Sequence, residues 1–372
     1  MSTKPQNIVI VGGGGAGIAT WNALSTRLDA KKHNLILVTS RPFFTHLPAG
    51  HRMAVTSKGH LEDCALMPLG EKFNTGNKKL IVASVTSIVD QDQQGGYVVL
   101  DNGEKVEYSI LILAPGTRWE GPLDLPNTKA EAVEVLNTWR SRFAKAENIV
   151  LVGGGAVGLE LAGEIKDIGP KKNVTIVHAQ SLYLNNTYPE KYRKYIVKQF
   201  AARGINAMLG EYVDDLEIKD GCVVTRSGKK IAADLVVPTR GGRPNTKFIA
   251  SLGPDVLTPS GNVKVGQTLQ LVNHPRIFAA GDVINWEEQK QFAKTAGHAN
   301  VIKENVLILL GLSKKKPVLY KGAIEMIVVT NGKYGGAGYF GVLWGILIGN
   351  WLSSFLKSKS LLIGLTKYNL SL

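Results

Sequence analysis

A chain of 372 residues is too long for one compact core and predicts two or three domains, with a globular composition of 44% hydrophobic and 20% charged residues. Lys and Arg, 44, exceed Asp and Glu, 30, by 14, which suits a membrane surface, a nucleic acid or a phosphorylated cofactor, or else a basic solvated face, and carries no fold information. Cys64 and Cys222 are the only cysteines and form no C-x-x-C pair, which argues against a disulfide framework and a cysteine-based metal site and favours a reducing compartment.

The start, Met1 to Asn7, has no signal- or transit-peptide pattern, and Ser2 stands where myristoylation needs glycine. Ile8 to Gly17 (Ile-Val-Ile-Val-Gly-Gly-Gly-Gly-Ala-Gly) then predicts a buried strand turning directly into a helix. Gly12, Gly14 and Gly17 fill G-x-G-x-x-G, and Gly15 and Ala16 complete the loop. Such a loop lets backbone approach a pyrophosphate at the positive end of the helix dipole.

A second strand over Asn34 to Thr39 ends in Thr39-Ser40, where an acid normally grips the adenine ribose roughly 20 residues past the glycines. Arg41 to Val55 mixes Pro, aromatic, His and Arg residues, as a segment lying against a flat cofactor would, with Ser40, Arg41, His46 and Arg52 as candidates. Strands follow around Lys79 to Val89 and Tyr97 to Leu100, the latter ending in the turn Asp101-Asn102-Gly103. Tyr108 to Thr117 reads as a strand closing in a tight turn beneath the nucleotide, at Ala114 and Gly116.

Asn148 to Glu164 repeats the opening device with Gly153, Gly155, Val157 and Gly158, and Gly163 is a small residue for close packing on the sheet. Two loops imply two dinucleotides. The next strand, Asn173 to His178, again ends without an acid, so nothing repels a 2'-phosphate and NADH and NADPH both stay open. A helix is expected over Glu190 to Arg203, and a return from the inserted domain near Leu235 to Thr246, including Gly242. Asn273 to Val283 reads as a strand ending in Gly281-Asp282, where the carboxylate can accept a hydrogen bond from a flavin's ribityl hydroxyls.

In this order Gly12 to Gly17, Ala114-Pro115-Gly116-Thr117, Gly153 to Glu164, Gly242 to Thr246 and Phe278 to Asp282 resemble the flavoprotein oxidoreductases built on two dinucleotide folds, across residues 8 to about 310. The resemblance implies an α/β, glutathione-reductase-like architecture with two Rossmann-like domains. It divides the chain into 1–117 and 241–316 for FAD, an inserted 118–240 for NADH or NADPH, and a C-terminal 317–372. The redox cysteine pair of the disulfide-reducing members is absent. Within the group the chain is similar to the apoptosis-inducing-factor-like branch that includes the ferroptosis suppressor proteins, FAD-dependent NAD(P)H:quinone oxidoreductases. It is similar in less detail to type II NADH dehydrogenases, whose glutamine-rich signature is missing near Ala296.

By that resemblance Glu160 approaches the nicotinamide, Ala296 and His298 lie at the flavin's pyrimidine edge on a helix from Thr295 to about Leu310, and Lys357 matches a lysine of the ferroptosis suppressor tail. No metal is required. The implied reaction is hydride transfer from NAD(P)H to flavin N5 and onward to a quinone. The alternatives are a redox-sensing binding protein with nucleic acid as a less favoured partner, or a reductase for a ferredoxin-type protein. The oligomeric state is open.

No charged residue lies between Tyr334 and Leu356. A helix over about Phe340 to Leu356 is expected, short for a membrane span and suited to lying on an anionic membrane surface at a lipid droplet, plasma membrane or outer mitochondrial face or to forming the mouth of a quinone tunnel, with a buried helix packed on the flavin domain and a true span as the alternatives.

Overall fold

The computed structural model describes residues 5–91 and 94–372, so Ser2 lies outside the described residues. The apolar runs pack into two parallel sheets. In the first, the strand order is Gln270–Leu271, His274–Ala279, Ile110–Leu113, Gln6–Val11, His33–Thr39 and Lys78–Val82, parallel throughout except for the antiparallel edge at Gln270–Leu271. Ile8 pairs with Leu35 on one side and Ile110 on the other, and all three are buried, as strands covered on both faces require. The second sheet is Ile205–Leu209, Asn173–His178, Asn148–Val152 and Leu235–Pro238, wholly parallel.

Each sheet places a glycine turn at the carboxyl end of its central strand, followed by the helix Gly15–Ser25 in the first and Ala156–Ile168 in the second. This is the switch point where open parallel sheets bind nucleotides. The stretch read as strand around Lys79 to Val89 divides in two. Ala83 N–H donates to Thr39 O at 2.9 Å and ends the pairing, and Val85–Asp90 joins a separate antiparallel sheet with Gly96–Leu100 and Lys105–Tyr108.

The C-terminal helix expected over about Phe340 to Leu356 does not form. Gly336–Phe340 pairs antiparallel with Met326–Thr330 on one side and Ile346–Ile348 on the other. Helical backbone begins only with the single turn Asn350–Ser353 and the wider turn Ser354–Ser358. Glycine decides this: a Cβ on Gly338 would lie 2.5 Å from Ile348 Cγ1 and one on Gly336 2.7 Å from Val329 O, so close strand approach is available where helix propensity is poor. Among the described residues no helix is long and apolar enough to cross a membrane.

The C-terminal sheet docks on the helix Ala156–Ile168. Gly163, expected to pack on its own sheet, instead faces this segment, since a Cβ there would meet Gly332 N at 2.4 Å and Asn331 Cα at 2.7 Å.

Candidate functional site

The two glycine loops open on one cleft of about 1820 Å³, roughly twice the upper end of an ordinary small-ligand site of about 300–1,000 Å³. Gly12 has φ +116° and a Cβ there would stand 2.1 Å from Ala114 O; Gly153 has φ +132° and its Cβ would stand 2.4 Å from Thr239 O. Both positions therefore demand glycine. Gly14, Gly15 and Ala16 line the cleft on one side, and Gly155, Ala156 and Val157 on the other. Gly17 and Gly158 lie behind, each packed on the carbonyl of the first glycine of its loop.

Thr39, Ser40 and Arg41 line the cleft where the ribose acid was missed. The Arg41 guanidinium donates to Leu125 O and Asn127 Oδ1, and burial pulls it below its ordinary pKa, partly offset by Asp124. In the second unit His178 does more than replace an acid. Its Nδ1 accepts from Gly154 N–H at 3.1 Å and its Nε2 lies 3.2 Å from Leu184 O, so the ring holds the glycine loop.

Ala114, Gly116, Gly242 and Asp282 all reach the cleft. Thr117 Oγ1 donates to Asp282 Oδ2 at 2.7 Å, while Oδ1 takes no hydrogen bond from the described residues. His298 does not reach the cleft. It is buried behind the turn, where Nδ1 accepts from Gly281 N–H at 3.2 Å and Nε2 lies 3.0 Å from Glu288 Oε1. Ala296 is exposed and outside the cleft as well, because the helix Thr295–Leu309 turns Thr295 towards the cleft and the next residue to solvent. Gln289 and Gln291 line the cleft from the preceding loop.

Arg52 is also displaced from its expected place. It donates to both carboxylate oxygens of Glu164 at 2.8 Å and to Ser358 O at 2.7 Å, a buried clamp between helix Gly50–Val55, helix Ala156–Ile168 and the C-terminal segment.

Glu160 and Lys357, 197 residues apart, meet in the cleft wall. Lys357 Nζ donates to Glu160 Oε1 at 2.5 Å and to Val328 O at 2.8 Å, and Thr330 N–H donates to the same carboxylate oxygen at 3.1 Å. Burial alone would raise the Glu160 carboxyl, but the Lys357 charge and the neighbouring His51 outweigh it and hold it down at about 2. His51 is the residue sequence reasoning missed. Its ring lines the cleft with Nδ1 3.5 Å from Glu160 Oε2, and neither ring nitrogen has a hydrogen-bond partner among the described residues. Its position in the Arg41 to Val55 segment, five residues after His46, was the available signal. His46 lines the cleft too, with Nε2 2.6 Å from Leu361 O. Met326, Ile327, Phe340, Leu356 and Leu362 make this end of the wall apolar.

Two glycine-loop folds facing each other across one cleft define a two-nucleotide oxidoreductase. Residues 6–299 match the pyridine nucleotide-disulphide oxidoreductase family, and the chain belongs to it. The FAD-dependent oxidoreductase FVFD30 of Flammulina velutipes is 46% identical over 315 residues, covering 85% of this chain and 98% of that protein. Ferroptosis suppressor protein 1 of Taeniopygia guttata is 28% identical over 368 residues, 96% of this chain and 93% of its own. The sulfide:quinone oxidoreductase of Aquifex aeolicus shares the fold, with TM-score 0.77 at 20% identity, over 98% of this chain and 91% of its own.

The chain is thus an FAD-dependent NAD(P)H oxidoreductase, and its residues fit both cofactors. The Cβ positions of Gly14 and Gly155 have no neighbour within 4 Å, so bare backbone faces open space at both helix starts, as a pyrophosphate requires. Cys64 and Cys222 are free and neither lines the cleft.

Proposed function

We propose that the chain oxidises NAD(P)H and passes the electrons to a quinone-type acceptor drawn from a membrane surface, with FAD held by the unit of residues 1–117 and 241–316 and the nicotinamide nucleotide by residues 118–240. The observation that carries it is the Lys357–Glu160 pair set in an apolar stretch of the cleft wall, beside Phe340 and Leu356. When bound, the two cofactors supply hydride transfer from nicotinamide to flavin and onward reduction of the acceptor.

The protein's part is to bind, orient and dry. Gly12 to Gly17 and Gly153 to Gly158 take the pyrophosphates on backbone N–H groups; the free Oδ1 of Asp282 takes a ribityl hydroxyl. Two N–H bonds of the Lys357 ammonium are committed to Glu160 Oε1 and Val328 O, which leaves the third for an acceptor carbonyl oxygen as negative charge develops there. Glu160, ionised throughout the physiological range, keeps that ammonium fixed. His51, with its open ring nitrogens, is the group placed to exchange a proton with the same oxygen.

The test is stopped-flow and steady-state turnover of the FAD-loaded chain. NADH should bleach the flavin absorbance and a short-chain quinone should restore it over many cycles. Bleaching that no quinone reverses would overturn the reading.

A further inference from the structure

From Met326 to Leu372 the chain carries Lys333, Lys357, Lys359 and Lys367 and no Asp or Glu. Lys357 is spent on Glu160, which leaves three lysines without a carboxylate of their own segment to pair with. The same segment shows large apolar side chains to solvent. At the turn between Gly336–Phe340 and Ile346–Ile348, Leu343 is 76% exposed and Trp344 102%. Both have left-handed backbone, φ +48° and +64°, a conformation unfavourable for bulky residues, and it presents them outward where no part of the protein covers them. Trp351 and Phe355 stack with centroids 6.2 Å apart and are also exposed, and Lys333 and Lys359 lie over the Tyr334 ring at 5.6 and 5.9 Å.

We propose that the Gly341–Gly345 turn is a wedge that inserts Leu343 and Trp344 into the interface of an anionic phospholipid bilayer, with the sheet lying along the surface so that Lys333 and Lys359, at its other end around Tyr334, meet the headgroups. Aromatic side chains interleaved with lysines and free of acids are what such an interface selects. A second copy of this chain fits the surface less well. A two-fold contact would bring the same uncompensated lysines face to face, with no carboxylate of the segment to relieve them. The wedge is also continuous with the cleft: Phe340 directly precedes the turn and Leu356 directly follows Phe355, and both line the cleft wall. The proposal rests on the membrane-surface part of the function proposed above and names the element that makes the contact.

The experiment is flotation of the full FAD-loaded chain with vesicles of phosphatidylcholine alone or containing phosphatidylserine. Wild type should float with the anionic vesicles and release in high salt. The double variant Leu343→Ser/Trp344→Ser should bind about tenfold or more weakly, and Lys333→Gln/Lys359→Gln should lose the preference for phosphatidylserine. Brominated lipid should quench tryptophan fluorescence in wild type more than in Trp344→Ser. Turnover with a water-soluble quinone in lipid-free buffer should be equal in wild type and the double variant, so loss of anchoring is read separately from loss of the redox reaction. Equal flotation of wild type and the double variant would overturn the proposal. So would a wild type that ignores vesicles yet sediments as a dimer dissociated by the double variant, because the surface would then belong to a second copy.

Discussion

Lys357, in the C-terminal segment, places its ammonium 2.5 Å from the buried carboxylate of Glu160 on the second glycine-loop helix, so the last part of the chain completes the wall of a cleft built by the first 300 residues. Removing one member leaves the other buried and unpaired. Lys357→Met should destabilise the fold by about 3–5 kcal/mol and lower quinone turnover more than it weakens NADH binding. Chemical denaturation and a separation of kcat from KM for each substrate measure the two effects.

The same pair fixes the acid limb of the stability profile. Glu160 titrates lower in the folded chain than in the unfolded one, so its contribution is fully present above about 4.5 and is lost as pH falls towards about 2. Without the Lys357 charge, burial raises the carboxyl, so in Lys357→Met this acid loss should shrink or reverse, because the folded chain then takes up the proton first. Thermal midpoints across the acid range check this, and coincident limbs would contradict it.

His46 should act nearer neutrality. Burial, assisted by the Lys357 charge and opposed by the Leu361 carbonyl, keeps its imidazole below its ordinary value of about 6.5. Its stabilising share is therefore present above about 6.5 and falls as acidification protonates the unfolded chain first. His46→Asn should flatten the stability slope just below neutral pH, read by denaturant titration at several pH values.

Arg52 offers a contrast with its expected cofactor role. Its fork on Glu164 is buried and bidentate, so Arg52→Met should cost about 3–5 kcal/mol of stability, with little effect on FAD affinity in preparations that remain folded. Arg52→Lys should recover only part, since an ammonium cannot make the paired bonds. Melting curves beside FAD titration distinguish the two effects.

His298 positions the Gly281–Asp282 turn through one accepted hydrogen bond. His298→Phe leaves Gly281 N–H without its acceptor, at a cost of about 1–3 kcal/mol, and FAD should dissociate roughly tenfold or more faster on dilution. Partial rescue by His298→Asn, whose amide oxygen can accept from Gly281, would mark the effect as positional.

Both glycine loops were legible because their constraints are local. Gly12 against Ala114 and Gly153 against Thr239 leave no room for another residue, and the same close approach appears as a fixed spacing in sequence. Residues whose partners lie far along the chain were not legible in the same way. Arg52 finds Glu164 112 residues on and His46 finds Leu361 315 residues on, and no spacing rule connects such pairs. His298 was misplaced for a different reason, since its helix was read correctly but the side buried against Gly281 was not. The C-terminal stretch failed on composition: freedom from charge suits a helix and a hairpin equally, and the pairing of Gly338 with Val328 and Ile348 that decided between them is a tertiary fact.

One ring carries two duties in the second unit. At the strand end where no acid stands, His178 ties down Gly154 through Nδ1 and reaches Leu184 O through Nε2, so the order of the second glycine loop hangs on a single side chain. On the nucleotide assignment proposed above, an aspartate installed there to favour NADH has to take over the Gly154 hydrogen bond from a shorter side chain and gives up the contact with Leu184 O.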